Sequence, residues 1–165
     1  MNSALYSSGL KLSSRNEVDK FDKATRSRVM ARVRSKDTNP EMLVRSAAHK
    51  LGFRFRLHRK DLPGKPDMVF PSRHIALFVH GCFWHGHDCP RGQLMPVTNA
   101  NFWRNKLSGN IKRDAKVKVE LIKLGWQPIA IWQCQTKGSD LPKILTRLLK
   151  QRVLKDKVPA MGKGA

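Results

Sequence analysis

Residues 79–89, VHGCFWHGHDC, hold three of the chain's six histidines and two of its three cysteines, with Phe83 and Trp84 between them. Thiolates and imidazoles are the donors of structural zinc sites, which are four-coordinate and leave no position for water. Cys82, His87 and Cys89 offer three such donors, and Cys134, after the apolar run IAIW, offers a fourth. A zinc held by these four would tie the end of a strand to this segment and supply folding free energy directly. The spacing C-x4-H-x-C is not a common zinc-finger pattern. Three separately buried thiols are therefore the alternative, and His85 and Asp88 compete as ligands on residue type alone.

A second candidate lies upstream. LPGKPDMVF places Asp67 at the entry to a short apolar run, and a dozen residues later the next run ends at Val79, directly before His80. Adjacent strands would hold the carboxylate and the imidazole at the same end of a sheet. A carboxylate there can hold Mg2+, a hard ion that keeps waters and shares phosphate oxygens, and a nearby histidine can move the proton. Asp67 could instead only cap the turn after Pro66. Acidic residues are scarce in this chain, so Glu41, at the start of the first clear helix, and Asp114, within IKRDAK, join the list. The helix dipole alone would also favour Glu41 where it stands.

The partner class follows from charge. Thirty-three Lys and Arg against twelve Asp and Glu leave a net charge of +21. Such an excess favours a polyanion, because neutralised phosphates release counterions; binding should then weaken steeply with salt. An odd cysteine count argues against a disulfide framework. No apolar run reaches the ~18 residues of a membrane span, and the first dozen residues lack the apolar core of a signal peptide. The expectation is a reduced, cytoplasmic protein.

The elements that must position these residues alternate along one domain of 165 residues. Residues 1–20, Ser-rich and aperiodic, and the last stretch from about 153 read as flexible tails, leaving a domain over 21–152. TRSRVMARVRS carries Val29, Met30 and Val33 at helical spacing. In DTNPEMLVRSAAHKLG, Asn39 can cap, Pro40 suits the first turn and Gly52 can end the helix, with Leu43, Ala47 and Leu51 inward and Val44 and Ala48 broadening that face. FRFRLH alternates as a strand covered on one side. DMVF and IALFV flank the turn PSRH and predict a hairpin. After the quoted segment, residues 101–125 predict a long basic helix closed by Gly125, with Gly109 its weak point. QPIAIWQC predicts a buried strand, with Trp126 and Trp132 in the core. LPKILTRLLKQRVL predicts a last helix with Leu141, Ile144, Leu145, Leu148 and Leu149 inward. The sum is an α/β domain, a mixed sheet of four strands flanked by helices.

Taken in order, DKATRSRVMARVRSKDTNPE (22–41), LPGKPDMVF (62–70), FVHGCFWHGHDC (78–89), NFWRNKLSGNIKRD (101–114) and LGWQPIAIWQC (124–134) resemble the blocks of the very short patch repair endonucleases. The resemblance spans about residues 20–150, and HGCFWH with its downstream cysteine is its most specific part. It implies the PD-(D/E)xK nuclease fold and an enzyme that nicks one strand beside the thymine of a T:G mismatch, the product of 5-methylcytosine deamination, leaving a 5′-phosphate.

Position by position, Asp67 matches the family's Mg2+-binding aspartate, with the main chain of Val79 a further metal contact. His85 matches the acid/base histidine and His80 a second active-site histidine. Glu41 and Asp114 match further acidic positions associated with activity, Asp114 orienting a histidine. Cys82, His87, Cys89 and Cys134 match the structural zinc ligands, and Phe83, Trp84 and Trp103 the aromatic wedge. A ring forced between base steps costs a few kcal/mol of unstacking, less at a weakened mismatch, so a wedge can act as a detector. Departures are Val79 where better-known members carry Thr, and Gly86 and Asp88 where they carry His. The substrate implied is double-stranded DNA with a T:G mismatch, met by a monomer in a bacterial cytoplasm at the nucleoid. The alternatives are a restriction-type endonuclease of the same fold and a zinc-containing DNA-binding module without catalysis.

Overall fold

The computed structural model describes residues 22–32, 36–57 and 59–150. Both expected tails lie outside the described residues.

The elements are α1 (Lys23–Ala31), α2 (Asn39–Lys50), β1 (Met68–Phe70), β2 (Ile75–His80), α3 (Ala100–Lys123), β3 (Gln127–Trp132) and α4 (Leu141–Lys150), with single 3-10 turns at Pro71–Arg73 and Gln133–Thr136. The sheet order is β1-β2-β3. β1 and β2 form the predicted hairpin, antiparallel with Met68 opposite Leu77; His74 closes its turn in the left-handed region at φ 52°. β2 and β3 run parallel, with Ile75 opposite Gln127 and His80 opposite Trp132. The crossover between them is α3, so the centre of the domain is a β-α-β unit. Such units collect ligands beyond the carboxyl ends of their parallel strands. His80, the segment after it and Trp132 all lie at that end.

Both faces of the sheet are covered. On one, α2 and α4 bring Val44, Ala48, Leu141, Leu145 and Leu149 against Met68, Phe70, Ile75, Leu77, Ile129 and Ile131. On the other, Leu121 with Val117 of α3 and Trp126 packs on Val69, Ala76 and Phe78. The alternation Ile75/Leu77 to one side and Ala76/Phe78 to the other is the two-residue period of a central strand buried on both faces.

Four expectations need correction. The described part of FRFRLH, 53–57, is not a strand: it makes one isolated bridge, Arg56 to Val69, so the sheet has three strands among the described residues. The alternation does place Phe53 and Phe55 on Phe70, both edge-on. Its partner β1 is three residues long and pairs along its whole length with β2, whereas this stretch meets β1 at Val69 alone. Second, α2 is rotated relative to the expected apolar face. Leu43 and Leu51 are 40% and 38% exposed, whereas Glu41, Val44, Arg45 and Ala48 are buried. Val44 and Ala48, expected to broaden the face, are its buried apolar centre, with Ala47 packed beside them, and an ion pair between Glu41 and Arg45, one helical turn apart, lies on the same side. Third, the helix cap is Thr38, not Asn39. Finally, Trp132 is half-buried and belongs to the site rather than the core, and Trp126 is half-buried against the smaller cluster. β3 is correspondingly an edge strand with Ala130 exposed.

Candidate active site and metal centre

The segment after β2 winds through consecutive turns. The His85 N–H donates to the Gly81 carbonyl at 3.2 Å and the His87 N–H to the Cys82 carbonyl at 3.0 Å. This winding sends alternate histidines to different places. The ligand atoms of Cys82, His87, Cys89 and Cys134 all lie within 4.8 Å of one another. His85 points instead to α3, its Nδ1 2.6 Å from Asp114 Oδ2. Asp88 is exposed, its carboxylate accepting from Gln93 Nε2.

The four clustered donors suit a tetrahedral soft-metal site, since bonds of about 2.3 Å to sulfur put neighbouring donors under about 4 Å apart. His87 Nδ1 is 3.4 Å from Cys134 Sγ, and the Cys134 N–H donates to Cys82 Sγ at 3.4 Å. The parts come together because β3 ends beside β2, which puts the turn carrying Cys134 against the loop after His80. A Cβ at Gly92 would overlap the His87 carbonyl, so this position admits only glycine while the loop keeps its path. Burial pushes the Cys82 thiol up to about 11. At Cys89 burial acts in the same direction, yet hydrogen bonding with His87 and the Gly92 amide leaves that thiol lowered to about 7. A metal held here would displace a proton from Cys82.

His80, His85 and Asp114 form the second group whose ligand atoms lie within 4.8 Å. The two imidazoles stack, with centroids 4.0 Å apart and planes 8° from parallel. Burial, and then the neighbouring His85, lower the His80 pKa to about 4, against a pull upward from Asp114. His80 is therefore a neutral imidazole near pH 7, beside a histidine whose Nδ1 is committed to a carboxylate.

Asp67 stands immediately before β1, and because the hairpin is antiparallel it lies at the same sheet end as His80. Asp67 Oδ2 accepts the Val79 N–H at 2.7 Å. The two residues expected to share a metal thus meet, through the Val79 amide. A half-buried carboxylate is a hard donor that suits a divalent ion sharing phosphate oxygens. Glu41 sits apart from these groups in the hydrogen-bonding sense. Its Oε1 accepts from Thr38 Oγ1 at 2.8 Å, while Oε2 accepts the Asp37 N–H at 3.0 Å and Arg45 Nη2 at 3.1 Å. Thr38 and Glu41 have the spacing of a capping box, but the Thr38 hydroxyl bonds the Glu41 carboxylate and not a helix N–H.

The aromatic residues form one array. Phe83 packs edge-on to Trp84 and to Trp103, with centroids at 5.1 and 5.6 Å, and Phe102 packs on Trp103 at 5.3 Å. Trp103 is 9% exposed and forms the base of the array, whereas Phe102 is 59% exposed. Phe83 and Trp84 are half-buried.

Three residues that contact the candidate residues are not singled out by the sequence pattern. Asn110 is buried on α3 and donates from Nδ2 to the Trp84 carbonyl at 2.9 Å. The signal for it was its place one helical turn before Asp114: Trp103, Leu107, Asn110, Asp114, Val117 and Leu121 form one face. Arg45, the partner of Glu41, had the i,i+4 spacing as its signal. Trp132 had none beyond its position two residues before Cys134.

The family model described as DNA mismatch endonuclease Vsr matches residues 18–91. The type II nicking enzyme V.XorIIP of Xanthomonas oryzae pv. oryzae is 50% identical over 130 residues, covering 79% of this chain and 93% of the relative. The type II nicking enzyme V.NmeAIP of Neisseria meningitidis is 40% identical over 141 residues, covering 85% and 99%. The DNA mismatch endonuclease Vsr of Escherichia coli is 37% identical over 122 residues, covering 74% and 78%.

Proposed function

We propose, starting from the fact that the chain belongs to the Vsr family of DNA mismatch endonucleases, that it nicks duplex DNA beside the thymine of a T:G mismatch left by deamination of 5-methylcytosine. That it is a DNA-nicking nuclease follows from the family and its nicking relatives. The mismatch, the metals and the residue roles are the further step. The observation that carries it is one loop's double duty: residues 80–85 bring the stacked His80–His85 pair and the Phe83–Trp84 rings together at the carboxyl end of β2.

In this reading, Asp67, with Val79 beside it, holds Mg2+ at the sheet end. When bound, that ion supplies positive charge for the scissile phosphate and acidifies water. Asp114 fixes the His85 tautomer: with Nδ1 held as the N–H donor, Nε2 is presented to take or give the proton at the phosphate. His80, uncharged and stacked on His85, assists near the phosphate without adding a second cation. Phe83 and Trp84 enter the base stack beside the mismatch, Trp103 backing them from below. Glu41 acts by holding the chain that enters α2, its oxygens being committed there.

Cys82, His87, Cys89 and Cys134 hold a structural zinc that ties the loop to the end of β3. Four protein donors leave it closed to water, so it supplies rigidity and no chemistry. The pair Pro66-Asp67 at the start of β1, on a mixed sheet flanked by helices, supports assignment to the PD-(D/E)xK nucleases. The usual Glu-x-Lys of that superfamily is replaced here by the VHG segment. The enzyme works as a monomer on DNA in the cytoplasm, at the nucleoid, and leaves a 5′-phosphate.

The test is Asp67→Ala assayed with Mg2+ on a T:G duplex. Nicking should vanish while duplex affinity stays within about twofold, because phosphate contacts and not this carboxylate carry affinity. Nicking retained by Asp67→Ala would remove the metal anchor from the account.

A further inference from the structure

Trp132 ends β3 directly opposite His80 at the end of β2. Its indole meets two imidazoles. It lies edge-on to His80, with centroids at 5.3 Å and planes at 72°. It stacks against His87, with centroids at 4.3 Å and planes at 22°. Its own N–H on the main chain donates to Gln135 Oε1 at 2.9 Å, so Trp132 also opens the short turn that carries Cys134. His80 stacks in turn on His85, and His85 is anchored by Asp114. An unbroken run of contacts therefore leads from the clustered metal donors, through one tryptophan, to the histidine pair.

The His80 imidazole is held by ring contacts to Phe78, His85 and Trp132. Ring contacts fix orientation less sharply than hydrogen bonds, so the ring depends on how rigid its neighbours are. His85 has Asp114 behind it. Trp132 has His87 behind it, a ring that a metal would immobilise through Nδ1.

We infer that Trp132 is a positioning residue that transmits the rigidity of the Cys3His cluster to His80, keeping that imidazole stacked on His85. The indole is wide enough to serve both histidines at once. The inference rests on the proposed reading that His80 and His85 act at the phosphate. It assigns the metal cluster a second purpose: beyond closing the loop, it braces the proton-transfer residues through an aromatic ring.

The test compares Trp132→Leu and Trp132→Phe with the wild-type enzyme on a T:G duplex. Four readouts are taken: single-turnover nicking rate at saturating protein, duplex affinity, zinc content and melting temperature. Wild-type nicking of that duplex is the control, so failure of the proposed reading is seen separately from failure at Trp132. Trp132→Leu should keep its zinc and its affinity while nicking roughly 10- to 100-fold more slowly, the cost of a misplaced catalytic group. Trp132→Phe, which keeps a flat ring between the two histidines, should recover to within about threefold of wild type, as positioning rather than chemistry is restored.

A second variant decides the matter if Trp132→Leu fails to fold. His87→Cys keeps four soft donors for zinc but removes the ring stacked on Trp132. It should retain zinc and affinity and lose rate alone. Wild-type nicking by zinc-loaded His87→Cys or by Trp132→Leu would overturn the inference. So would a rate loss in the folded Trp132→Leu protein that is matched by zinc or affinity loss, or that Trp132→Phe does not relieve.

Discussion

The rings of His80 and His85 lie face to face, 4.0 Å apart between centroids and 8° from parallel, although one ends a strand and the other follows a turn of the loop that carries Cys82, His87 and Cys89. Two imidazolium ions at this distance would repel strongly. The stack therefore works only if one ring stays neutral; burial keeps His80 uncharged, while Asp114 is bonded to His85 Nδ1 and orients that ring.

That asymmetry predicts the effect of Asp114→Asn. The amide can offer its own N–H to His85 Nδ1, favouring the wrong tautomer. Single-turnover nicking should fall on the order of 10²-fold, with duplex affinity in a gel-shift assay unchanged. An equal loss of both would mean that Asp114 shapes the DNA surface instead.

His80 predicts a pH dependence of stability. Its folded pKa is lowered from the ordinary 6.5 to about 4, so on acidification the unfolded chain takes up the proton first. Its contribution is nil above about pH 6.5 and becomes a loss of stability as pH falls toward 4. The ceiling is about 3 kcal/mol, reduced in practice by solvent screening. Urea denaturation at pH 7 and pH 5 should show a smaller acid-induced loss in His80→Gln than in wild type. The same loss in both would place the acid sensitivity elsewhere.

Arg45 predicts a stability effect remote from catalysis. It is 91% buried, judged from its 9% exposure, and pairs with both Glu41 and Asp37. Arg45→Met leaves the Glu41 carboxylate buried without its cation, which should cost about 3 kcal/mol in urea denaturation. Replacing Glu41 as well, by Gln, should return part of that loss. A single variant within about 1 kcal/mol of wild type would show that the pair is held loosely.

Much of this architecture was legible beforehand, for identifiable reasons. The hairpin followed from two apolar runs around a turn, and α3 and α4 from periodicity that packing did not override. The donors of both clusters stood out because cysteine, histidine and acidic residues are few here. Other features depended on tertiary relations that no local pattern carries. FRFRLH has the right alternation, but it meets β1 at one bridge alone, and no local pattern reveals that. α2 buries Glu41 and Arg45 beside Val44 and Ala48, against the reading of Leu43 and Leu51 as core, and the two buried charges pair one turn apart. Trp132 reads as any strand tryptophan until β2 sets His80 opposite it. Similarly, FW at 102–103 does not reveal that Trp103 is the buried ring and Phe102 the exposed one.

The metal cluster predicts a large stability change. Removing zinc with a strong chelator should lower the melting temperature by roughly 10 °C or more, since structural zinc contributes several kcal/mol to folding. Cys82→Ala should behave like the stripped protein and fail to regain stability on zinc addition. Unchanged melting after zinc is shown to be gone would reduce the four residues to a cluster of buried thiols.

The central claim is mismatch-directed nicking, and strand-resolved cleavage tests it most directly. Duplexes of one sequence carrying T:G, T:A or C:G at a single position, each strand labelled separately, are incubated with the enzyme and Mg2+. The account predicts one cut, in the thymine strand of the T:G duplex beside the mismatch, with the two matched duplexes intact. Equal cutting of the matched duplexes, or cuts in both strands, would contradict it.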